Sequence, residues 1–220
     1  MNGLSKYYIK KIITCFALEI TATETSKKLR INRNTINKYY RMIREAIADY
    51  QEVQLRAVSL HNNDKKYFFG WHTNEGLIYT PQEDAQMFSL TIHVGKVYIK
   101  METVSELRDN TEITSIKNAG PEHIFNAEVA QQAPPGSASL AKEVLPADKE
   151  RHINEPAFNF FLYAKQKLIK FYGVKEEYTY LYLKELEFRF NNNGRDLSKL
   201  VLKILPHHSP EWNRTTRNRK

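Results

Sequence analysis

The chain has 220 residues, enough to bury a sizeable core in one or two domains, and its net charge of +8 sits on two basic ends, residues 1–50 and 151–220, around an acidic middle. Its single cysteine, Cys15, excludes an internal disulfide framework and a cysteine-based zinc site within the chain. No apolar run approaches the roughly 20 residues that span a bilayer, and Met-Asn-Gly-Leu-Ser-Lys lacks the apolar core of a signal peptide, so a cytoplasmic protein with no membrane partner is expected.

From the amino terminus, Tyr8, Ile9, Ile12, Ile13 and Phe16 fall on one helical stripe, with Lys6, Lys10 and Lys11 outside it. Thr21 followed by Glu24 is the start signal of a second, short helix. Arg30-Ile31-Asn32 makes the turn into a third helix, predicted from about Arg33 to Asp49, with Ile36, Tyr40, Ile43 and Ile47 on its buried side. This spacing is that of a helix-turn-helix. Arg30 stands where such a turn often holds glycine for its positive φ. Asn32, Arg33, Asn34, Thr35, Asn37, Lys38 and Arg41 crowd the start of the third helix with the groups that contact DNA: Asn for adenine, Arg for guanine, Lys and Thr for phosphate. The alternative is a plain three-helix packing unit with a polar outer face.

Beyond residue 53 the pattern turns to strand, in Val53–Leu60, Tyr67–Phe69, Met87–Val94 and Lys96–Met101, all rich in β-branched and aromatic residues. Little more than Gly95 separates the last two, which read as a hairpin. Residues 131–140, with Pro134-Pro135-Gly136-Ser137, have the composition of a flexible loop. A helix follows Pro156 to about Tyr172, with Phe158, Phe161, Leu162, Leu168, Ile169 and Tyr172 on its apolar face. A second runs from Lys175 to Asn191 along Tyr178, Leu181, Tyr182 and Phe188, and a third from Asp196 to Leu205 stops before Pro206. Residues 206–220 read as a basic, disordered tail. His207 and His208 have no partner cluster in sequence, so no metal is assigned to them.

Several of these segments together resemble the ISXO-type insertion-sequence transposases. His152-Ile-Asn154 matches the family's H-x-N; Ala164-Lys165 its A-K; Lys170-Phe-Tyr-Gly-Val174 its K-F-x-G-V; and Leu183-Lys-Glu-Leu-Glu-Phe-Arg-Phe-Asn191 its L-K-E-x-E-x-R-F-N. Asp64-Lys-Lys-Tyr-Phe68 is similar to its D-E-S-Y-F, and Gly95-Lys-Val-Tyr98 to its G-K-V-Y. The resemblance implies an RNase H-like fold over residues 51–205, a mixed sheet opening with antiparallel strands and covered by helices. It also implies three carboxylates holding two divalent cations, Mg2+ or Mn2+, at a scissile phosphate.

Carried over position by position, the first metal ligand is Asp64. The second falls on Asn118, which brings no charge, and the third on Phe158, with Glu155 three residues away as a substitute. His152 and Asn154 match the family's catalytic segment, and Lys165 the lysine that contacts DNA. Replacement of two of three ligands weakens the assembled negative charge that such a site needs. The expectation is thus an α+β protein: a helix-turn-helix unit over residues 1–50, then an RNase H-like sheet with carboxy-terminal helices. It would bind insertion-sequence ends in double-stranded DNA as a homo-oligomer, with transposition catalysis impaired. The alternative is a non-catalytic helix-turn-helix regulator derived from a transposase.

Overall fold

Apolar residues recurring every three or four positions make the first helices, and their shared stripe decides how they pack. In a computed structural model, which describes residues 4–58, 66–72, 76–78, 86–102, 156–168, 175–209 and 212, α1 spans Lys6–Ala17, α2 Ala22–Leu29 and α3 Arg33–Ala57. Ile9, Ile12, Ile13 and Phe16 of α1 meet Ile36, Tyr40, Ile43 and Ile47 of α3 in one buried cluster. Each such side chain contributes about 1.5–3 kcal/mol on leaving water. Tyr8, expected on this stripe, lies at its edge and remains 40% exposed.

The third helix is longer than its sequence pattern implied, because Val53–Ala57 continues it instead of starting a strand. No glycine or proline interrupts residues 33–57, and Glu52 pairs with Arg56 one turn on at 3.4 Å. The local β-propensity of Val53 is weaker than the cooperativity of an already nucleated helix.

The strand-forming residues make a four-stranded antiparallel sheet, in the order β2-β1-β3-β4, from β1 (Lys66–His72), β2 (Gly76–Ile78), β3 (Gln86–His93) and β4 (Lys96–Glu102). Val94 and Gly95 form the two-residue turn between β3 and β4, both at positive φ (49° and 71°), the geometry that matches the twist of a hairpin. One face of the sheet carries Phe69, Phe88, Leu90, Val97 and Ile99, all buried. Against it lies α4 (Pro156–Leu168), whose Phe161 meets Phe69 edge-to-face at 5.5 Å. The other face mixes buried Met87 and Tyr98 with buried polar groups: Ser89 donates to Glu102 at 2.5 Å, and the exposed Lys100 lies 3.1 Å from the same carboxylate. The chain is therefore α+β, and among the described residues every strand pairing is antiparallel. Residues 169–172, expected to extend α4, lie outside the described residues, as do those of the expected flexible loop, 131–140.

A short 3₁₀ turn (Glu176–Tyr178) leads into α5 (Thr179–Asn191), and α6 covers Leu197–His208. Asp196 caps α6 by accepting from the backbone N–H groups of Ser198 and Lys199, and the Ser198 hydroxyl first, then the Lys199 N–H, hold its carboxyl below the usual range. The helix does not stop before Pro206 but carries it in its last turn, where its nitrogen cannot donate to the Leu202 carbonyl. Buried Leu205 and the bond of His208 Nδ1 to Asp49 at 2.6 Å hold that turn in place.

The chain divides into two compact units, residues 1–59 with 184–220, and residues 60–183. Phe188 of α5 and Val201, Ile204 and Leu205 of α6 complete the core of α1 and α3, and Trp212, expected in a disordered tail, packs against it. The amino-terminal helices are thus one part of a unit that the carboxy-terminal helices finish. No helix among the described residues is long and apolar enough to cross a membrane.

Candidate nucleic-acid interface

The approach from α2 to α3 is fixed by local hydrogen bonds. The Thr21 hydroxyl accepts from the Glu24 backbone N–H at 3.2 Å while the Glu24 carboxylate accepts from the Thr21 N–H at 3.1 Å, so both ends of a capping box close. Arg30 ends α2 in the left-handed region (φ 54°, ψ 42°), the conformation its position demanded and one that strains a side chain with a Cβ. Ser26 Oγ donates to the Ile31 carbonyl at 2.6 Å across the turn. Asn32 then caps α3, its Oδ1 accepting from Asn34 N–H at 2.8 Å, so this side-chain carbonyl, expected to face DNA, is committed to the helix start.

Of the remaining candidates, Asn34, Asn37, Lys38 and Arg41 recur at spacings of three and four along one exposed stripe, with Arg33 beside Asn37. Thr35 is half-buried on the side that Tyr39 and Met42 share. The stripe presents amide, ammonium and guanidinium donors over about two turns, and Glu45 closes it: its carboxylate accepts from Arg41 Nε at 2.7 Å, with both side chains substantially exposed.

Behind the stripe α3 is rigidly backed. Tyr40 donates to the Ile20 carbonyl at 2.8 Å and lies 2.8 Å from Thr25 Oγ1, which therefore donates to it, tying α3 to α2 and to the loop before it. Burial raises the Tyr40 hydroxyl to about pKa 12, against the opposing pull of the Thr25 hydrogen bond. On the neighbouring part of α3, Arg44 Nε donates to Glu185 at 2.6 Å. Glu185 also accepts from Arg189 at 2.8 Å, and Arg189 in turn donates to the carbonyls of Phe16 and Ala17 at the end of α1. Burial pushes the Glu185 carboxyl up, but the charges and hydrogen bonds of the two arginines outweigh it and hold the group below its ordinary value. Lys184 and Glu187, one turn apart and fully buried, pair at 2.9 Å.

These buried charges belong to Leu183–Asn191, the segment whose letters resemble a transposase motif. Sequence reasoning took its charges as part of that resemblance and missed their place inside the helical unit. The available signal was the density of Lys, Glu and Arg among Leu, Phe and Tyr in a helix too apolar for a solvated face.

The expected catalytic residues Asp64, His152, Asn154 and Glu155, and Asn118 with them, lie outside the described residues. Lys165 falls in α4, next to buried Ala164, and Phe158 in its first turn. Among the described residues no three His, Cys, Asp or Glu side chains form a cluster able to hold a metal ion. Glu102, which sequence reasoning did not single out, is a buried carboxylate already engaged by Ser89 and Lys100.

Over 59 residues the chain is 47% identical to a protein of Haemophilus influenzae described as an uncharacterized transposase-like protein. That stretch of the chain is similar to part of a transposase-like protein. The matched stretch covers 27% of this chain and 47% of the relative, so the chain spans about half the length of the protein it matches. No family model and no solved structure matches the sequence.

Proposed function

We propose that the protein is a sequence-reading DNA-binding protein of transposase descent, close to the ISXO type, in which α2, the turn at Arg30–Asn32 and α3 act as a helix-turn-helix. The observation that carries this reading is the exposed stripe Asn34, Asn37, Lys38 and Arg41 at the start of a helix capped by Asn32. Asn37 and Asn34 offer the paired donor and acceptor that match adenine, Arg41 the fork that matches guanine, and Lys38 and Arg33 a charge for flanking phosphates. The similarity to a transposase-like protein supports terminal repeats of an insertion sequence as the duplex that is read, with two copies of the chain pairing two ends.

The residues assigned to strand cleavage in an RNase H-like core are Asp64 and Glu155, with His152 and Asn154, and Mg2+ or Mn2+ as the cation they would hold. With Asn118 and Phe158 at the other acid positions, this reading places DNA binding first and leaves cleavage impaired.

The test is binding of the purified chain to a labelled duplex bearing the terminal repeat that flanks its gene, beside a scrambled duplex, with and without Mg2+. Tight, sequence-selective retention that Asn37→Ala relaxes by about 1–3 kcal/mol supports the reading. Equal affinity for both duplexes would remove it. Metal-dependent nicking that disappears in Asp64→Ala would show that the core still cuts.

A further inference from the structure

The outward side of α1 is chemically unlike the rest of the helical unit. No acidic side chain precedes Glu19 in the chain, whereas Lys6, Lys10 and Lys11 all fall on α1 and all are exposed. At the spacing of a helix, Lys6, Lys10, Thr14, Tyr7 and Lys11 occupy one continuous arc, opposite the buried Ile9, Ile12, Ile13 and Phe16. Tyr7 is 60% exposed, an uncommon place for a large ring, and the Lys11 ammonium sits 4.3 Å from its centroid. Tyr8 meets Tyr7 edge-to-face at 5.5 Å and braces it. Lys6 stands in the first turn, where the helix dipole disfavours a cation, no acidic residue offsets it, and Ser5 makes no side-chain cap. The arrangement lowers the intrinsic stability of α1 and concentrates positive charge and a phenolic donor on one surface.

Resting on the DNA-binding reading above, we infer that this lysine and tyrosine face of α1 is a second contact surface, seated on the phosphate backbone of duplex DNA and separate from the stripe on α3. Charge complementarity selects the occupant: three lysines with only Tyr7 and Thr14 and no acid among them fit a polyanion and repel another basic surface, including a second copy of the same face. Tyr7 fixes Lys11 over its ring and offers its hydroxyl to a phosphate oxygen. Such contacts add affinity and orientation without reading bases.

The experiment uses the full chain and a mixed-sequence fluorescent DNA duplex over a range of salt concentrations. The triple variant Lys6→Gln, Lys10→Gln, Lys11→Gln is expected to bind more weakly, with the slope of log K against log salt shallower by about 0.9 for each phosphate no longer neutralised. Its ratio of affinities for terminal-repeat and scrambled duplexes stays unchanged, whereas Asn37→Ala lowers that ratio and leaves the slope. Tyr7→Ala is expected to weaken binding about two- to fivefold. A coincident thermal melt confirms that the triple variant is folded. Wild-type affinity with an unaltered slope in the triple variant overturns the α1 surface while sparing the α3 reading. A shift in sedimentation mass without a change in DNA affinity overturns it in favour of an interface between copies. Failure of the wild type to bind any duplex overturns both.

Discussion

Arg189 donates from Nη2 to the carbonyl of Phe16 at 2.6 Å, joining residues 173 positions apart in the chain. Phe16 and Ala17 lie in the last turn of α1, where carbonyls lack intrahelical partners, so the guanidinium closes the helix both by hydrogen bonding and by its charge at the negative end of the dipole. Glu185 holds that guanidinium in place and reaches Arg44 on α3 with its other oxygen. Replacing Glu185 by Gln removes the buried carboxylate that both arginines share and leaves Arg189 with the more distant, partly exposed Glu19 at 4.0 Å. The expected cost is about 3–5 kcal/mol of unfolding free energy, read from urea denaturation followed by helical circular dichroism.

The same carboxyl makes stability depend on acid. Its folded-state pKa lies below the ordinary value of 4.5, so the ion-pair contribution is complete above that value and disappears as pH falls through the folded pKa. The midpoint of unfolding should therefore drop as pH is taken below about 4.5, and Glu185→Gln should flatten that drop. At the opposite extreme Tyr40, raised to about 12, favours the neutral phenol in the folded state; stability should fall as pH rises from the ordinary 10.0 towards about 12.

Val94 occupies the first position of a turn that needs positive φ, and it is 85% exposed, so its side chain gains nothing from packing. A β-branched residue is poorly suited to that conformation. Val94→Asn should raise stability by about 1 kcal/mol, seen as a higher melting temperature.

Gln51 is buried in α3 with neither amide atom hydrogen-bonded. Leaving two polar groups dry costs free energy that an apolar side chain of similar size does not. Gln51→Met should stabilise the helical unit by about 1–2 kcal/mol in the same denaturation assay.

Glu45 is a negative charge on an otherwise cationic stripe and occupies Arg41 at 2.7 Å. As an exposed pair it contributes at most about 0.5 kcal/mol to folding. Glu45→Gln should leave the melt unchanged while tightening binding to duplex DNA by about fivefold at low salt, an effect that fades as salt screens the charge.

What could be read from the letters alone follows the range of the interactions. The Thr21–Glu24 box, the strained Arg30 and the stripe Ile36, Tyr40, Ile43, Ile47 depend on neighbours within a few turns, and each stands where its pattern put it. The hairpin about Gly95 was legible for the same reason, although Val94, read as strand, belongs to the turn. The extension of α3 through Val53–Ala57 and of α6 through Pro206 was not: in α3 a nucleated helix ran on through Val53 against its β-propensity, and in α6 the buried Leu205 and the His208–Asp49 bond hold the turn. Least legible was the burial of Lys184, Glu185, Glu187 and Arg189, since Glu185 finds Arg44 141 positions away. The same distance hid the true partner of the amino-terminal helices. Of the candidate site, spacing revealed the stripe on α3, but the commitment of Asn32 to the cap and the turning of Thr35 towards Tyr39 and Met42 depend on the folded helix and were not legible.

A ribosome releases α1, α2 and α3 well ahead of α5 and α6, so the groups that finish their core, Phe188, Val201, Ile204 and Leu205, are synthesised more than a hundred residues later. Until then the early helices expose an apolar flank, and joining it to its late partners requires closing a very long loop, which slows assembly. A frameshift or stop codon anywhere between residues 60 and 183 would therefore release not a small folded helical unit but an unfinished one, prone to chaperone capture and proteolysis.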